Sequence, residues 1–457
     1  MNKSLKSMSC RLIEIATKKG AIDADALAVS STGESVRVRH GQVESIERED
    51  ARGIGLRAFV ETANGSAFAT ASSSDISDSG LEKLADQVIG MARISEADPD
   101  AVSPSGAIHP AAEELKAWEG RHMNEKSGWD TESAKMASLA CEDAALSYSS
   151  DISNSEGAES GFGSSSVAYA CADGFSASYQ KASASLSVSV IAGSGDGMQS
   201  DYAWHSARQA RDLKSAAEIG HEAAKRASNR LGAKGIEGRA TTIIFEPRTA
   251  TSLLGHLISA INGMAILQSR SFLCDCAGKQ IFPKFVSISD EPDHPEGMGN
   301  RLFDGEGTRC QHTQIIEAGR LETYLTNRYA AKRLHGTSSG HASRGLTGDI
   351  GIGTSNLIMK PGSTSLQEVL RDIDDGFLVT EMMGFGVNGV TGDYSRGAAG
   401  FLIENGKITQ PVQEVTIAGN LKQMFLDITH IGDDLTWFGS TAVPTIAIAN
   451  MTVAGQG

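Results

Sequence analysis

The chain has 457 residues, more than a single hydrophobic core usually supports, so we expect two or three domains. Hydrophobic residues make up 40% and charged residues 21% of the chain, which is typical of a globular protein. The formal net charge of −15 argues against binding to the phosphate backbone of DNA or RNA, since such binding needs clustered Lys and Arg. We therefore expect no nucleic-acid partner.

The sequence also predicts no membrane partner. No run of 18 apolar residues occurs, so no transmembrane helix is expected. Charges at Lys3, Lys6, Arg11 and Glu14 leave no apolar core for a signal peptide. The six cysteines are irregularly spaced, which favours reduced thiols over a disulfide framework. Together these features predict a cytoplasmic protein.

The first half of the chain predicts a repeated order of strands and helices. Residues 5–19 have apolar side chains at helical spacing and end at Gly20. Strand-like runs follow at 26–29, 36–40, 43–46, 54–60 and 67–70, and a helix is expected over 81–92. A similar order recurs about 130 residues later, which indicates an internal repeat of a strand-strand-helix unit. Between the copies, the polar, proline-containing segment 95–130 predicts an exposed loop, and a helix is expected over 133–147.

The segment 232–238, GAKGIEG, is typical of a linker, so we place an N-terminal domain at 1–236 and a C-terminal domain at 239–457. A strand at 241–245 and a mostly apolar helix at 249–264 follow it. The remainder predicts strands, with hairpins near Gly319 and at Asn405-Gly406. The expected fold class is α+β, in which repeated strand-strand-helix units precede a mainly β domain with a curled or closed antiparallel sheet and one or two helices.

The segment from Met383 to Thr409 is the densest in informative residues. Its first eighteen residues include six glycines and display Asp393, Tyr394, Ser395 and Arg396. Two interpretations of these four residues stay open. In one, they bind an extended peptide substrate, because glycine lets backbone groups approach a ligand closely. In the other, they form a buried turn in which Asp393 accepts backbone N–H groups.

The same segment resembles a known family. Its pattern G-x-G-V-N-x-V-T-G-D-Y-S-R-G-A-x-G-F-x-I-E-N-G is similar to the C-terminal block of the TldD/PmbA proteins, known as modulators of DNA gyrase and classed as zinc metallopeptidases. Further similarity lies at 245–248, 253–256, 271–273, 326–330, 341–345 and 432–435. The resemblance is to the PmbA branch, also called TldE. Over 240–457 the resemblance lies in the residues themselves, whereas over 1–230 it lies more in the order of the predicted elements.

This resemblance bears directly on metal binding. TldD proteins have H-E-x-x-x-H on the helix that opens their second domain and a cysteine near the C-terminus. Here the ligand positions fall, within a residue, on Leu254 or Gly255 and on Ser259 or Ala260, and no cysteine follows Cys310. None of those four side chains binds zinc. The resemblance thus implies no catalytic residue and no metal in this chain, with zinc bound by a TldD-type partner.

Two other patterns contain zinc-binding residue types. His221-Glu222 begins like H-E-x-x-H, but Lys225 replaces the second histidine, and an ammonium group cannot coordinate a metal. Cys274-x-Cys276 together with Cys310-x-His312 supplies four residues of types that bind structural zinc. The C-x-C step lacks the usual two-residue knuckle and Cys276 and Cys310 are 34 positions apart, so the sequence favours ordinary thiols.

Two short motifs suggest other chemistry. Gly336–Gly340 matches the G-x-S-x-G nucleophile elbow, with Ser338 as the nucleophile, but its entry predicts a helix rather than a strand. Gly384-x-Gly386-x-x-Gly389 matches the dinucleotide-binding fingerprint, but leads into a hairpin rather than a helix. Neither has the required context.

The resemblance implies a PmbA/TldE-like subunit of a metallopeptidase that hydrolyses small or unfolded polypeptides, including peptide precursors during maturation. The partner would be a TldD-type catalytic subunit in a heterodimer, and this chain would contribute chamber walls and strand edges for an extended peptide. The alternative is a non-enzymatic homodimer that modulates gyrase or a toxin–antitoxin pair.

Overall fold

The computed structural model describes residues 4–119, 126–347 and 349–455. The first half of the chain forms one antiparallel sheet with helices packed on it. Its elements are α1 (Leu5–Lys18), β1 (Asp23–Arg39), β2 (Gln42–Thr62), β3 (Gly65–Ser73), α2 (Asp78–Ile94), α3 (Ala112–Glu119), α4 (Thr131–Leu146), β4 (Ile152–Cys171), β5 (Ser176–Ala192), β6 (Gln199–Ala207) and α5 (Ala216–Asn229). The strand order is β3-β2-β1-β4-β5-β6, and we call this the curled sheet.

The internal repeat is confirmed, with a larger unit than predicted. Each copy is helix, three strands, helix, and the copies meet at the antiparallel β1–β4 pair. The runs predicted at 26–29 and 36–40 are one strand of 17 residues. The small polar residues between them do not interrupt it, because β2 and β4 pair with β1 on both sides and satisfy its backbone groups.

Each copy has its own core. In the first, α1 and α2 pack Leu12, Leu84 and Val88 against the curled sheet. In the second, Cys141 of α4 and Ile219 of α5 lie against the other end of the same sheet. The apolar residues that recur at helical spacing in the sequence are therefore the ones that face the core.

The loop prediction for 95–130 is partly wrong. The segment contains α3, and Trp118 on this helix is only 7% exposed. The helix has acidic residues in its first turn, where they interact favourably with the helix dipole. The prolines at 99, 104 and 110 all precede it, and residues 120–125 lie outside the described range.

The second half of the chain is mainly β. Its elements are β7 (Arg239–Phe245), α6 (Pro247–Ala260), α7 (Gly263–Leu267), β8 (Ile288–Asp290), β9 (Thr313–Glu317), β10 (Arg320–Leu321), α8 (Arg328–Arg333), β11 (Ala342–Ser343), β12 (Gly351–Ile352), β13 (Leu357–Met359), α9 (Leu366–Ile373), β14 (Gly376–Met383), β15 (Asp393–Glu404), β16 (Lys407–Asn420), α10 (Leu421–Leu426), β17 (Ile428–Ile431), β18 (Thr436–Phe438), β19 (Thr441–Val443) and β20 (Ile446–Gly455).

Five of these strands form a closed sheet in the order β16-β15-β14-β7-β20, because β20 also pairs with β16. Phe245, Phe377 and Ile417 are fully buried in its core, against α6 residues such as Leu257. The predicted α+β fold class is thus confirmed. The predicted division of the chain at residues 236–239 stays a proposal.

Local signals in this half behave as expected, with one correction. Asn405 and Gly406 have φ values of 52° and 68° between β15 and β16, as the hairpin prediction requires. The helix predicted over 249–264 is interrupted, since α6 ends at Ala260 and α7 starts at Gly263. Asn262 caps α7 by accepting the N–H of Met264 at 3.0 Å.

Buried ion pairs join the two halves. Asp25 of β1 is fully buried and binds Arg57 of β2 at 2.7 Å and Arg344 of the second half at 2.6 Å. A second set connects Arg248 of α6 with Asp201 of β6 at 3.0 Å. Within the three described ranges, every helix is too short or too polar to cross a lipid bilayer.

Candidate functional site

The four residues predicted at positions 393–396 begin β15, directly after an exposed loop, Gly384–Gly392, that we call the glycine loop. Side chains alternate between the faces of a strand. Asp393 and Ser395 are accordingly exposed, whereas Tyr394 is 2% exposed and Arg396 is half-buried. The structure therefore divides the four residues between two environments.

Asp393 braces the glycine loop. Its carboxylate accepts hydrogen bonds from the Thr391 hydroxyl at 2.6 Å and from the Asn420 side-chain amide at 3.1 Å. These two bonds, Thr391 first, lower the pKa of Asp393. The carboxylate is exposed and its donors are side chains, so the predicted buried turn with backbone donors differs from what the structure shows. Contact of Ser395 or Arg396 with a peptide stays a prediction.

Backbone hydrogen bonds hold the rest of the glycine loop. Gly386 accepts the N–H of Ser395 at 2.7 Å, and Gly389 accepts the N–H of Phe272 at 3.0 Å. A Cβ atom on Gly386 would lie 2.0 Å from the Ser395 carbonyl oxygen, so only glycine fits there. The neighbouring Phe385 is 99% exposed. Val390 in the loop and Met383 just before it are also exposed, so this segment presents three apolar side chains to solvent.

We expect Asp393→Ala to loosen the glycine loop. The change removes both side-chain bonds to Thr391 and Asn420, so cleavage after the exposed Phe385 by chymotrypsin should become several-fold faster. Ser395→Ala is the matched control, because its backbone bond to Gly386 is retained. Equal cleavage rates for the two variants would contradict a bracing role for Asp393.

Beneath the glycine loop, Tyr394 packs edge-on against His256 of α6, with ring centroids 5.9 Å apart. Burial raises the pKa of Tyr394. Burial and the nearby Arg396 both lower the pKa of His256. Among the described residues, His256 Nε2 and Arg396 Nε are buried without a hydrogen-bond partner. Closure of the sheet brings these two groups together, and no sequence pattern joins them.

The candidate zinc site at Cys274, Cys276, Cys310 and His312 is wrong. Cys310 Sγ lies 3.3 Å from the Gly340 carbonyl oxygen, whereas His312 pairs with Asp293 at 2.6 Å. Cys276 Sγ lies 3.5 Å from the carbonyl oxygen of Cys274. In the described part of the chain, the only three His, Cys, Asp or Glu residues with ligand atoms within 4.8 Å of one another are His109, Cys171 and Asp173.

The nucleophile elbow also fails. The chain enters it from α8, and Ser339 rather than Ser338 lies beside His341, 2.9 Å from Nδ1. His341 in turn pairs with Asp290 at 3.1 Å, and both are 1% exposed. However, Ser339 Oγ already accepts the N–H of Thr326 at 2.7 Å. These bonds connect the loop at Thr326 with the loop that contains Ser339 and His341.

The dinucleotide motif at Gly384–Gly389 leads into β15 and not into a helix, so it lacks the helix N-terminus that binds pyrophosphate. Phe385 within the same motif is the functional candidate that sequence reasoning missed. A phenylalanine between two glycines was a usable signal, because neighbours without side chains leave its ring uncovered.

Comparison with known proteins covers nearly the whole chain. Three family models match, described as PmbA/TldA metallopeptidase domain 1 over residues 24–92, central domain over 127–231 and C-terminal domain over 237–455. The chain is 33% identical over 456 residues to the metalloprotease PmbA of Escherichia coli O157:H7, with 99% of this chain and 97% of that protein covered. It is also 33% identical to a Haemophilus influenzae homolog of PmbA, covering 97% and 94%.

Solved structures agree. A modulator of DNA gyrase from Bacteroides thetaiotaomicron superposes with a TM-score of 0.86 at 26% identity, covering 99% of each chain. TldE from Thermococcus kodakarensis has the same fold, with a TM-score of 0.85 at 18% identity and coverage of 98% and 100%. From its three matched domains and its full-length relatives, the chain belongs to the PmbA/TldD family, in the PmbA/TldE branch.

Proposed function

We propose that this chain is the non-catalytic subunit of a TldD/PmbA-type metallopeptidase that hydrolyses small or unfolded polypeptides. The face of α6 at the position of the TldD zinc motif carries the proposal. Gly255 and Ser259 are exposed there and have no metal-binding side chain. Leu254 and Ala260 are buried in the core, where they pack α6 against the closed sheet.

The remaining histidine on α6 does not fit a zinc ion. Burial and the neighbouring guanidinium of Arg396 both lower the pKa of His256, and the positive charge of Arg396 would also repel a dication. A catalytic zinc site needs three protein ligands and a bound water. In this proposal the catalytic zinc is therefore bound by the TldD-type partner and not by His256.

The curled sheet supports a role in enclosing a peptide. A groove of about 700 Å³ runs along it, lined by β1 residues 31–35, β4 residues 161–165 and part of β5. Most of these side chains are Ser, Gly or Ala, which leaves room for the side chains of a guest strand. Such a groove suits extended polypeptides of varied sequence, in keeping with a broad peptide substrate.

An open strand edge borders this groove. In the described ranges, residues 42–53 of β2 pair only with β1, since β3 pairs with β2 from Ile54 onward. Glu47, Arg48 and Glu49 on this segment line the groove. Unpaired N–H and C=O groups at an edge can bind an extended peptide by strand addition, and the charged side chains restrain aggregation.

The glycine loop supplies the proposed contact with substrate. Phe385 is an exposed aromatic group on a braced backbone, which reduces the entropy lost when a peptide is bound. Ser395 is exposed and Arg396 half-buried next to this loop, so both remain candidates for peptide binding. Asp393 and Tyr394 would act by positioning the loop and the strand.

The test is reconstitution with a TldD-type chain. We expect this chain alone to leave an unfolded peptide intact and the co-purified pair to cleave it in a chelator-sensitive way. Size-exclusion chromatography with light scattering should show a heterodimer. Phe385→Ala should raise the KM for peptide, whereas Ile94→Ala, which removes an apolar side chain that is 88% exposed in the first half, should not.

Two results would contradict this proposal. One is chelator-sensitive cleavage by this chain alone. The other is a homodimer that does not exchange with the TldD-type chain, which would favour a binding protein acting without a peptidase. The description of the Bacteroides thetaiotaomicron protein as a modulator of DNA gyrase supports this alternative. With a net charge of −15, such a modulator would act through a protein partner rather than through DNA.

A further inference from the structure

A cluster of three potential metal ligands lies outside every site considered above. It combines His109, from the segment before α3, with Cys171 at the end of β4 and Asp173 in the following turn. The ligand atoms all lie within 4.8 Å of one another, and His109 Nε2 is 3.0 Å from Asp173 Oδ2. Nitrogen, thiolate and carboxylate donors together are the set that zinc binds in proteins.

The hydrogen bonding of His109 indicates which of its ring nitrogens faces Asp173 with a lone pair. Its Nδ1 is 2.8 Å from the carbonyl oxygen of Gly307. A carbonyl oxygen only accepts, so Nδ1 carries a proton, and in the neutral ring Nε2 is left with a lone pair. That lone pair faces a carboxylate oxygen, and two acceptors 3.0 Å apart need a cation or a second proton between them.

The same arrangement is usual for a metal-bound histidine, which donates its other ring N–H to a carbonyl or carboxylate group. The ring is held in place as well. It stacks on Phe175 with centroids 3.9 Å apart and planes 5° from parallel. The Asp173 carboxylate is fixed by the N–H groups of Gly106 at 3.2 Å and Phe175 at 3.1 Å.

The geometry requires only small movements to accept a zinc ion. Two donors about 2.1 Å from one zinc lie about 3.4 Å apart in an ideal tetrahedron, so His109 and Asp173 need to separate by a few tenths of an ångström. The sulfur of Cys171 would move toward them by up to about 1 Å. Cys171 is 4% exposed and Asp173 is partly exposed, so a fourth position can be taken by water.

We propose that His109, Cys171 and Asp173 bind a zinc ion that serves a structural role at the junction of the two halves. The site joins the segment before α3 to the curled sheet, and through Gly307 it contacts the second half. Gly307 is next to Glu306, which is buried beside Arg57 at 3.7 Å. Zinc bound here would therefore stabilise the contact between the halves without taking part in peptide hydrolysis.

The experiment titrates the full chain, first stripped with a chelator and then dialysed, with zinc alone in a calorimeter. We expect one zinc per chain, and at least tenfold weaker binding in Cys171→Ser and in His109→Gln. The matched controls are His312→Gln, which removes another histidine–aspartate pair, and Cys141→Ser, which removes another buried thiol. Both should bind zinc as the unaltered chain does.

Cobalt provides a readout that does not depend on the variants folding. Co²⁺ added to the unaltered chain should give the near-ultraviolet band of a thiolate–cobalt bond, and the band should disappear when zinc is added. No zinc binding, or unchanged binding in Cys171→Ser, would overturn the proposal and identify the His109–Asp173 contact as an imidazolium–carboxylate pair. Zinc binding lost in His256→Ala but kept in Cys171→Ser would overturn both this site and the non-catalytic assignment.

Discussion

Asp25→Ala is expected to destabilise the protein by about 3–5 kcal/mol, because it removes the buried carboxylate that pairs with both Arg57 and Arg344. The Asp25 carboxylate is fully buried and binds Arg57 at 2.7 Å and Arg344 at 2.6 Å, whose side chains are 7% and 1% exposed. Arg344 comes from the second half of the chain, so the loss should also weaken the contact between the halves. Thermal unfolding followed by circular dichroism measures the effect.

Glu14→Ala is the control for Asp25→Ala. Glu14 pairs with Arg11 at 3.0 Å on the surface of α1, where the two side chains are 60% and 43% exposed. Solvent screens such a pair, so its loss should cost less than about 1 kcal/mol. A melting temperature for Asp25→Ala equal to that of Glu14→Ala would show that the buried pair does not stabilise the fold.

Asp25 also predicts that the stability of the fold depends on pH. Burial by itself would raise the pKa of Asp25, but Arg344 and Arg57 outweigh it and hold the pKa below its ordinary value. The folded state therefore binds the proton more weakly than the unfolded state, and the stabilisation is present above about pH 4. It is lost as the pH falls through the folded pKa, so the difference between the unaltered chain and Asp25→Ala should shrink below about pH 4.

Gly400→Ala is expected to destabilise the closed sheet by about 3 kcal/mol or more. A Cβ atom on Gly400 would lie 1.9 Å from the carbonyl oxygen of Leu378 and 2.9 Å from its carbonyl carbon. Both are backbone atoms of β14, which pairs with β15, so β14 and β15 would have to separate. Because β15 also begins with Asp393 and Tyr394, the change should loosen the glycine loop as well.

Gly255→Ala is the matched control. Gly255 lies on the exposed face of α6, and apart from its chain neighbours and the nearby helix backbone no described atom lies within 4 Å of an added Cβ. Alanine there should stabilise the helix by up to about 1 kcal/mol, since glycine is the poorer helix former. Denaturant unfolding of both variants checks the pair of predictions. A stability loss in Gly255→Ala, or none in Gly400→Ala, would contradict this packing.

Local features of the fold follow from short stretches of sequence. Helix α1 is recognisable from the spacing of its apolar residues, and Asn405-Gly406 specifies its hairpin because both residues adopt positive φ at low cost. The merging of two predicted runs into β1 was not predictable in this way. It depends on backbone pairing with β2 and β4, and β4 begins more than a hundred residues after β1 ends.

Some features of the candidate site likewise follow from the sequence, whereas others depend on the fold. That Gly255 and Ser259 have no metal-binding side chain is a matter of residue type, so the sequence alone supports the non-catalytic interpretation. The burial of Tyr394 between exposed neighbours depends on which face of β15 meets the core, and strand register in the closed sheet decides that. Likewise, only folding shows that Ser339 rather than Ser338 lies beside His341.

The sequence by itself determined the family, the α+β class, the Asn405-Gly406 turn and the lack of metal-binding side chains on the exposed face of α6, because each depends on residue identity or on contacts within a few positions. The tertiary structure decided the closure of β16 onto β20, the buried pair of Asp25 with Arg344, and the meeting of His109 with Cys171 and Asp173. Those contacts join residues far apart in the chain, and only packing and strand pairing bring them together.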